Sequence, residues 1–530
     1  MRRAFVLSLS LSILALAPRP SAAATSSPST PSGSALEPKV VNGLATAAYP
    51  SVGIFVSGSA ACSATLIGCS TVLTAAHCVC IDPKTGRPLT GAQCALRPDL
   101  LDPATKLVYF QSAGRFAVSS VAVNPTFSFG DQGDVAIVHL ASPVTGIAPS
   151  AIDTTAKPAI GTPAVIAGFG ITEDPASGAG IKRTGALTVA ACNVNGLNGA
   201  AHVCATLSSL LGSAGSNSTP CHGDSGGPLF VDFGAGPVIA GTTSGGDSAS
   251  LNCTPPDHVW FADVYDERAW ILTSAGSDLG TTACGGIPAA GGASSTLSST
   301  VGTLSPLHSS EVVPLVVPPG ATHLRVGLTA ESFGANDYNL YLKSGAAPTL
   351  ASYDCKSDGR GTLAFCDVPA PAAGPWYALV DGASGPGGPY QLVTTLYATG
   401  SLAAPCVPTP TSLCLDDRPG DRRFKVEVAY QTAQNGGLAG AGNAVPLGNI
   451  GLARGGAFWF FAPDNPEMLI KILNACTSST PRYWVFFSAG TNVALTVTVT
   501  DTATGHVKVY TNPDLHSAVP VSDTDGLPCS

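Results

Sequence analysis

Apolar residues recur in short runs along most of this chain, and Gly, Pro, Asn or Ser residues separate the runs. Residues 51–56 (SVGIFV) and 117–123 (AVSSVAV) are two examples, and residues 424–428 (FKVEV) alternate strictly between apolar and polar positions. A period of two with frequent turn residues predicts β-strands. One short helix is expected at residues 265–273. The pattern therefore predicts an all-β protein.

The chain is too long for a single hydrophobic core. With 530 residues it is expected to form about three or four domains. Residues 277–300 are dominated by Gly, Ala, Ser and Thr, which predicts a linker. Alternating runs resume beyond it, as at residues 390–393, and continue through residues 400–530, which we expect to form a β-sandwich of unknown role.

Residues 1–24 have the features of a secretory signal peptide. A basic start (MRR) precedes an apolar run at residues 4–17, and small residues (SAAA) at 21–24 suit cleavage. The apolar run is too short to span a bilayer comfortably. Residues 25–39, rich in Ser, Thr and Pro, are expected to be a propeptide. The sixteen cysteines, an even number, fit an oxidising compartment, so we expect a secreted, extracellular protein without a membrane span.

The charge pattern argues against one class of partner. Charged residues make up 11% of the chain, the net charge is −9, and there is no basic block. A nucleic-acid partner is therefore not expected.

Three short motifs supply the groups that a serine nucleophile requires. Residues 221–228 (CHGDSGGP) place Ser225 on a glycine-rich loop, residues 74–78 (TAAHC) supply His77, and residues 134–138 (DVAIV) supply Asp134. A serine hydroxyl is a weak nucleophile until a base takes its proton. A lone histidine more often has a structural role, and we interpret His139, His202 and His258 in that way. We predict that Ser225 is the nucleophile, His77 the general base and then acid, and Asp134 the group that orients His77.

In their order of His, Asp and Ser, these motifs resemble the trypsin/chymotrypsin-like serine proteases over residues 40–276. The resemblance implies two six-stranded β-barrels, a protein or peptide substrate, and neither a cofactor nor a metal. It also implies that the backbone N–H groups of Gly223 and Ser225 form an oxyanion hole. His222 is expected to line the mouth of the substrate pocket without a catalytic role.

Residues 39–43 (KVVNG) resemble the activation site of that family. The resemblance implies that cleavage between Lys39 and Val40 frees an amino group, which then pairs with Asp224. A buried carboxylate without a partner is costly, so this pair forms only after cleavage. The alternative is that Lys39 and Val40 belong to an ordinary exposed linker.

The resemblance also assigns the substrate site: Thr219 at the pocket floor with Pro220 after it, Ser244 bonded to the triad aspartate, Gly246 beside the substrate, and Val259 on the opposite wall. The family usually has tryptophan where this chain has Gly245, which removes an expected apolar wall. Without a carboxylate at the floor, a buried cation would have no partner, so we expect cleavage after small or medium uncharged residues. Such an enzyme would need a separate activating protease to cut after Lys39.

Family bridges imply three disulfides, Cys62–Cys78, Cys192–Cys204 and Cys221–Cys253. Proximity suggests Cys80–Cys94, Cys355–Cys366, Cys406–Cys414 and Cys476–Cys529, and the two cysteines left over, Cys69 and Cys284, are predicted to pair with each other. Metal binding is the rival explanation, although no cysteine–histidine cluster has zinc spacing.

Residues 337–341 (DYNLY) and 353–355 (YDC) resemble the bacterial pre-peptidase C-terminal domain, a β-sandwich, over residues 301–399. We expect both C-terminal modules to bind or position rather than to catalyse, so that a chain ending near residue 276 would still cleave small peptides. The sequence thus predicts a monomeric, zymogen-activated serine endopeptidase. The alternative is a catalytically silent binding or adhesion protein with a protease-like fold.

Overall fold

Strands dominate the fold, as the alternating pattern predicts. The computed structural model describes residues 40–529 except 59, 173–178, 210–214, 216, 248–252, 280–283, 285–293, 307–308, 318–319, 332–335, 399–405, 418–419, 435–436, 479–480 and 504–505. The predicted signal peptide, the propeptide and Lys39 lie outside the described residues. The described α-helices are α1 (Gly91–Cys94), α2 (Pro98–Leu101) and α3 (Val264–Ala275). None of these is long and apolar enough to cross a membrane.

Six strands close into the first barrel. The first strands of the chain are β1 (Leu44–Ala45), β2 (Val52–Ser57), β3 (Ala60–Leu66), β4 (Thr71–Thr74), β5 (Lys106–Phe110), β6 (Gly114–Val123) and β7 (Ala136–Leu140). The barrel order is β2-β3-β4-β7-β6-β5, and each neighbouring pair is antiparallel. Phe55, Val72 and Val108 are buried in its core.

The second barrel has the same strand number. Its strands are β8 (Pro163–Gly168), β9 (Arg183–Ala190), β10 (His202–Leu207), β11 (Pro228–Asp232), β12 (Pro237–Gly246) and β13 (Asp257–Asp263). The order is β8-β9-β10-β13-β12-β11, and β8 closes the ring by pairing with both β9 and β11. Strand β1 adds to the edge of β9, where Leu44 lies opposite Thr184. The expectation of two six-stranded barrels is confirmed.

Helix α3 follows the second barrel directly. The Asp263 side chain accepts a hydrogen bond from the N–H of Tyr265 and so caps the first turn. Ile271 is buried in an apolar cluster that also contains Ile137 of the first barrel and Ile239 of the second. The predicted helix is therefore present, with one more residue at its start and two at its end.

Two β-sandwiches follow. The first sandwich has strands β14 (Ser294–Leu304), β15 (Ser310–Val317), β16 (Ala321–Ala330), β17 (Asp337–Ser344), β18 (Cys355–Ser357), β19 (Leu363–Pro369), β20 (Gly374–Ser384) and β21 (Gly388–Ala398). Its sheets run β14-β21-β16-β19 and β15-β20-β17-β18. Strand β14 begins at Ser294, so the predicted linker boundary at residue 300 is wrong: β14 pairs with β21 along its whole length.

The second sandwich contains β22 (Ser412–Leu415), β23 (Phe424–Thr432), β24 (Leu438–Ala441), β25 (Asn443–Pro446), β26 (Gly455–Trp459), β27 (Met468–Asn474), β28 (Arg482–Ala489), β29 (Ala494–Asp501), β30 (Val507–Asn512) and β31 (Val521–Pro528). One sheet runs β22-β23-β29-β30 with β24 on β23, and the other runs β25-β26-β27-β28-β31. The expected C-terminal sandwich is thus confirmed.

Disulfides cross-link the barrels and each of the two sandwiches. All eight predicted pairs form, including Cys69–Cys284, which joins the segment after α3 back to the first barrel. Beside Cys69, the Asp278 carboxylate accepts hydrogen bonds from the N–H groups of Cys69 and Ser70. The start of the predicted linker is therefore fastened to the barrel.

Candidate active site

The side chains of His77, Asp134 and Ser244 form one buried hydrogen-bonded chain. His77 lies on the short helical turn after β4, and the Cys62–Cys78 disulfide ties that turn to β3. Asp134 accepts from the N–H of His77 at 2.9 Å through Oδ1, while Oδ2 lies 2.7 Å from His77 Nδ1. The Ser244 hydroxyl donates to the same Oδ2 at 2.6 Å.

Asp134 is fully buried, and its charge state follows from these contacts. Burial alone would raise the pKa of Asp134, but the charge of His77 and the hydrogen bonds from His77 and Ser244 together hold it below its usual value. An ionised carboxylate can only accept hydrogen bonds, so Nδ1 of His77 must carry a proton. Nε2 of a neutral His77 is then free to act as a base.

The loop that carries Ser225 depends on its glycines. Gly223 and Gly226 have φ angles of +95° and +78°, which side-chain-bearing residues rarely adopt. A Cβ atom on Gly226 would lie 2.1 Å from the Thr74 hydroxyl. Ser63 braces the loop, because its N–H donates to the carbonyl of Ser225 at 2.9 Å and its hydroxyl donates to the carbonyl of Gly223 at 3.0 Å.

Asp224 points away from the pocket into the second barrel. Its Oδ1 accepts from the N–H of Gly170 at 2.8 Å and its Oδ2 from the N–H of Cys221 at 2.9 Å. Burial raises the pKa of Asp224 to about 6, although those hydrogen bonds and the charge of Arg183 oppose the rise. In the uncleaved chain this carboxyl is therefore near its titration point at neutral pH.

The segment that follows Lys39 is buried rather than exposed. Val40 and Val41 have relative exposures of 1% and 0%, and Val40 packs in the apolar core of the second barrel. Val41 forms a β-bridge with Thr219, and the carbonyl of Asn42 accepts from the Ser218 hydroxyl at 3.0 Å. An ordinary exposed linker does not fit the Val40 side of this bond.

Ser225 and His77 border the same cavity, which has a volume of about 240 Å³. The other lining residues are Phe129, Pro220, Cys221, His222, Thr243, Ser244, Gly245, Gly246, Cys253, Asp257 and Val259. The structure thus brings together most of the predicted site residues, with His222 at the pocket as expected.

Two features of this pocket differ from the sequence-based expectation. Asp257, which is fully buried, is among the residues that line the cavity, whereas the sequence-based expectation placed no carboxylate at the pocket. Thr219 is not among the lining residues; its hydroxyl lies 3.4 Å from Asp257 Oδ2. Residues two apart on a strand face the same side, and Asp257 precedes Val259 by two on β13. This alternation is the signal that could have identified Asp257.

Trp260, on the neighbouring strand β13, takes the place of the tryptophan that the family usually has at position 245. A Cβ atom on Gly245 would lie 2.5 Å from the Trp260 ring, so a larger residue would not fit there. Trp260 lies on β13 directly opposite Gly245. Its ring meets the Phe129 ring edge-on, with 6.4 Å between the two ring centroids. The Phe129 ring in turn meets the His77 ring edge-on, with 5.5 Å between the two ring centroids. An apolar wall is therefore present, built from different residues.

Among the described residues, Cys62, His77 and Cys78 are close enough together to suggest a metal site. The two sulfur atoms are joined in a disulfide and so cannot act as thiolate ligands. This cluster does not support metal binding.

Comparisons with known proteins agree with this geometry. Residues 40–271 match the family model described as trypsin, and residues 311–382 match that of the bacterial pre-peptidase C-terminal domain. No curated protein matches the chain. A solved structure of neuropsin, described as a serine protease expressed in the limbic system of mouse brain, is 19% identical, covers 44% of this chain and 100% of its own, and has a TM-score of 0.34. Residues 40–271 are therefore similar to the trypsin family and residues 311–382 to the bacterial pre-peptidase C-terminal domain.

Proposed function

We propose that this chain is a secreted serine endopeptidase, made as a zymogen and activated by cleavage after Lys39. The observation that carries the proposal is the buried contact between Asp134 and His77, on the same cavity as Ser225. The eight disulfides support an extracellular location.

Each group has one task in the proposed mechanism. His77 Nε2 takes the proton of the Ser225 hydroxyl as Ser225 attacks the substrate carbonyl, and later gives that proton to the leaving amine. Asp134 holds the His77 ring and stabilises its positive charge. The N–H groups of Gly223 and Ser225 stabilise the oxyanion, an effect worth about 10²–10³-fold in rate for one donor. Water then hydrolyses the acyl-enzyme by the same route.

The test is replacement of the nucleophile. In the chain cleaved after Lys39, Ser225→Ala should lower kcat by several orders of magnitude while leaving the fold intact, because one oxygen atom is removed. Ser119→Ala, on the exposed outer side of β6, is the matched control and should keep full activity. Retained turnover by purified Ser225→Ala would contradict the proposal.

The rival function is a catalytically silent binding protein. A fluorophosphonate reacts with an activated serine but not with an ordinary surface hydroxyl. We expect stoichiometric labelling of Ser225 in the cleaved wild-type chain, located by peptide mapping. A cleaved, folded chain that resists labelling would favour the silent protein.

For substrate preference we propose basic residues, Lys or Arg, before the cleaved bond. Asp257 is a fully buried residue of the pocket wall, and a cationic side chain that reaches its carboxylate would gain a charge-assisted hydrogen bond that an uncharged one lacks. This proposal replaces the preference for small uncharged residues expected from Thr219. It also makes the Lys39–Val40 bond a substrate of the enzyme, so the activating protease can be a second copy of this chain.

Asp257→Asn tests that preference with little change in shape. Removing one partner of a desolvated ion pair should lower kcat/KM for Lys and Arg substrates by about 10²–10³-fold, and much less for Ala substrates. Asp247→Asn removes the same charge at an exposed site, where Asp247 pairs with His258. It should leave kcat/KM unchanged for both the basic and the Ala substrates. If Asp257→Asn leaves the ratio of basic to uncharged substrates unchanged, the preference is wrong while the endopeptidase proposal stands.

The activation scheme predicts a pH dependence. The pKa of Asp224 in the uncleaved chain, about 6, lies above the value of 3.8 that is usual for an aspartate. A raised pKa stabilises the fold below pH 3.8, and this stabilisation is lost as pH rises through 6, at a cost on the order of 3 kcal/mol. Denaturant titrations of uncleaved Ser225→Ala should show this fall, and the same chain with Asp224→Asn should lack it. After cleavage the Val40 amino group would pair with Asp224 and the fall should disappear.

A further inference from the structure

A buried glutamine of the first sandwich contacts the segment that leads away from the activation site. Gln391, on β21, is fully buried. Its amide nitrogen lies within hydrogen-bond distance of the carbonyls of Thr46 (3.0 Å) and Lys182 (3.4 Å) and of the Ser299 hydroxyl (2.9 Å). Its amide oxygen accepts from the N–H of Lys182 at 2.7 Å and from the side chain of Gln111 at 2.8 Å. One side chain thus joins three parts of the trypsin domain.

Thr46 and Lys182 mark the junction where the N-terminal segment meets the second barrel. The N–H of Thr46 donates to the carbonyl of Lys182 at 3.0 Å, and the adjacent Ala45 and Arg183 pair across β1 and β9. Going back along the chain, this segment reaches Val41, with its bridge to Thr219, and the buried Val40. What holds Thr46 in place therefore also anchors residues 40–45.

The same junction leads to Asp224. Arg183 is buried, and its positive charge acts on the Asp224 carboxyl. Asp224 directly precedes Ser225, and its contacts with Gly170 and Cys221 shape the loop that would form the oxyanion hole. A displacement of Lys182 would thus move its neighbour Arg183, and through Arg183 it would affect Asp224 and the catalytic loop.

The first sandwich has little freedom to move Gln391 away. A Cβ atom on Gly327 would lie 2.0 Å from the carbonyl oxygen of Gln111, so the two backbones touch. The Tyr109 hydroxyl, buried in this interface, donates to the carbonyls of Leu328 (3.2 Å) and Ala364 (2.7 Å). Arg325 donates to the carbonyl of Thr145 at 2.7 Å. The interface is therefore closely packed and hydrogen-bonded.

We propose that Gln391 is a positioning residue of the protease: through it, the first sandwich holds the N-terminal segment and the start of β9 in the arrangement that the active site requires. The inference rests on the proposed function, because the segment matters through Val40 and Asp224. It assigns the first sandwich a direct part in keeping the cleaved enzyme in its active conformation. The sequence alone had suggested a separable module.

Gln391→Met in the full chain, cleaved after Lys39, tests the proposal. Methionine keeps the length of the side chain but leaves the Thr46, Lys182 and Gln111 groups without these hydrogen bonds. If part of the enzyme then adopts a conformation that does not bind substrate, the apparent KM rises in inverse proportion to the active fraction, and kcat at saturation stays constant. We expect KM for a peptide substrate to rise by roughly tenfold or more, with kcat within about twofold of wild type.

Thr395→Val is the matched control. Thr395 lies on the same strand and is equally buried, but its hydroxyl donates to Ser112 of the first barrel at 2.9 Å, away from Thr46 and Lys182. It should lower thermal stability without changing KM. An equal KM increase in both variants, or an unchanged KM in Gln391→Met, would overturn the assignment.

Two further readouts keep the outcomes distinct. Fluorophosphonate titration gives the concentration of active sites, so misfolded protein is not mistaken for a shifted equilibrium. If Gln391→Met is not recovered as folded protein, Gln391→Asn, which keeps the amide but shortens its reach, should show a smaller KM increase. A wild-type chain without Ser225-dependent turnover would refute the proposed function itself, whereas an active wild type with an unaffected Gln391 variant refutes only this inference.

Discussion

The two C-terminal sandwiches have similar architecture but place their buried polar side chains differently. In the first sandwich, Gln391, Thr395 and Arg325 are buried and bond to the trypsin domain. In the second, Arg423 pairs with Asp501 at 2.7 Å, inside the sandwich itself.

From the barrels, the Thr46 hydroxyl donates a hydrogen bond to the carbonyl of Pro408, just before the second sandwich, at 3.2 Å. The second sandwich also leaves a cavity of about 930 Å³, bordered by Leu452, Leu469 and Phe486, open on its own surface. Because buried polar groups need partners, their location shows which surfaces cannot separate freely. The first sandwich forms one unit with the barrels, whereas the buried ion pair of the second lies within that sandwich.

Deleting the sandwiches should give the largest effect. A chain ending near residue 276, which the sequence alone suggested would stay active, is now expected to aggregate or to lose nearly all peptide cleavage. It would expose the buried Tyr109 and Gln111 and would lose Gln391. A chain ending at Ala398 lacks only the second sandwich and should keep kcat/KM within about twofold, because losing the part-buried hydrogen bond from Thr46 to Pro408 costs only about 1 kcal/mol. Full activity of the shorter chain would refute the comparison.

Arg423→Met should destabilise the second sandwich without affecting catalysis. The variant leaves the fully buried carboxylate of Asp501 without its bidentate partner, a loss of about 3–5 kcal/mol. Calorimetry should show one transition moving to lower temperature while peptide cleavage is unchanged. Arg482→Met, which breaks an ion pair with the exposed Asp525, is the control and should cost less than about 1 kcal/mol. A parallel loss of activity in Arg423→Met would show that the second sandwich is coupled to the site.

Gly327→Ala should separate the first sandwich from the barrel by adding one methyl group. The new Cβ atom would clash with the main chain of Gln111, and such overpacking costs about 1–3 kcal/mol. We expect a lower melting temperature and a higher KM in the cleaved enzyme. Gly359→Ala, in the same sandwich but with open space around it, should leave both unchanged.

The smallest expected effect is that of Tyr109→Phe. Phenylalanine keeps the packing but removes the hydroxyl that bonds to Leu328 and Ala364, at a cost of about 1–2 kcal/mol in unfolding free energy. Tyr510→Phe, which loses a bond to Asp523 within the second sandwich, should destabilise only that domain. Denaturant titrations followed by activity and by far-UV circular dichroism would separate the two. Coincident transitions in both variants would contradict the division into one unit of barrels and first sandwich and a separate second sandwich.

Part of the site was predictable because its signals are local. The glycines around Ser225, the histidine turn and the aspartate before β7 each lie within a few residues of sequence. The Cys69–Cys284 pair followed by elimination, and it is present although 215 residues separate the two cysteines. Position 219 differs, since the family resemblance assigned Thr219 to the pocket floor, whereas the structure has Asp257 among the residues that line the cavity.

What the sequence determined by itself was the strand pattern and the identity of the candidate catalytic groups, because both depend on residue type, spacing or alternation along the chain. The two barrels and three of the cysteine pairs were implied by the resemblance to a known family. Only the tertiary structure decided that Trp260 fills the space beside Gly245, that Asp257 reaches the pocket, and that Gln391 bonds to Thr46. Thr46 and Gln391 are 345 residues apart, and their contact depends on how a sandwich docks on a barrel. Docking is set by the fit of two complete surfaces, and no local pattern in either strand encodes it.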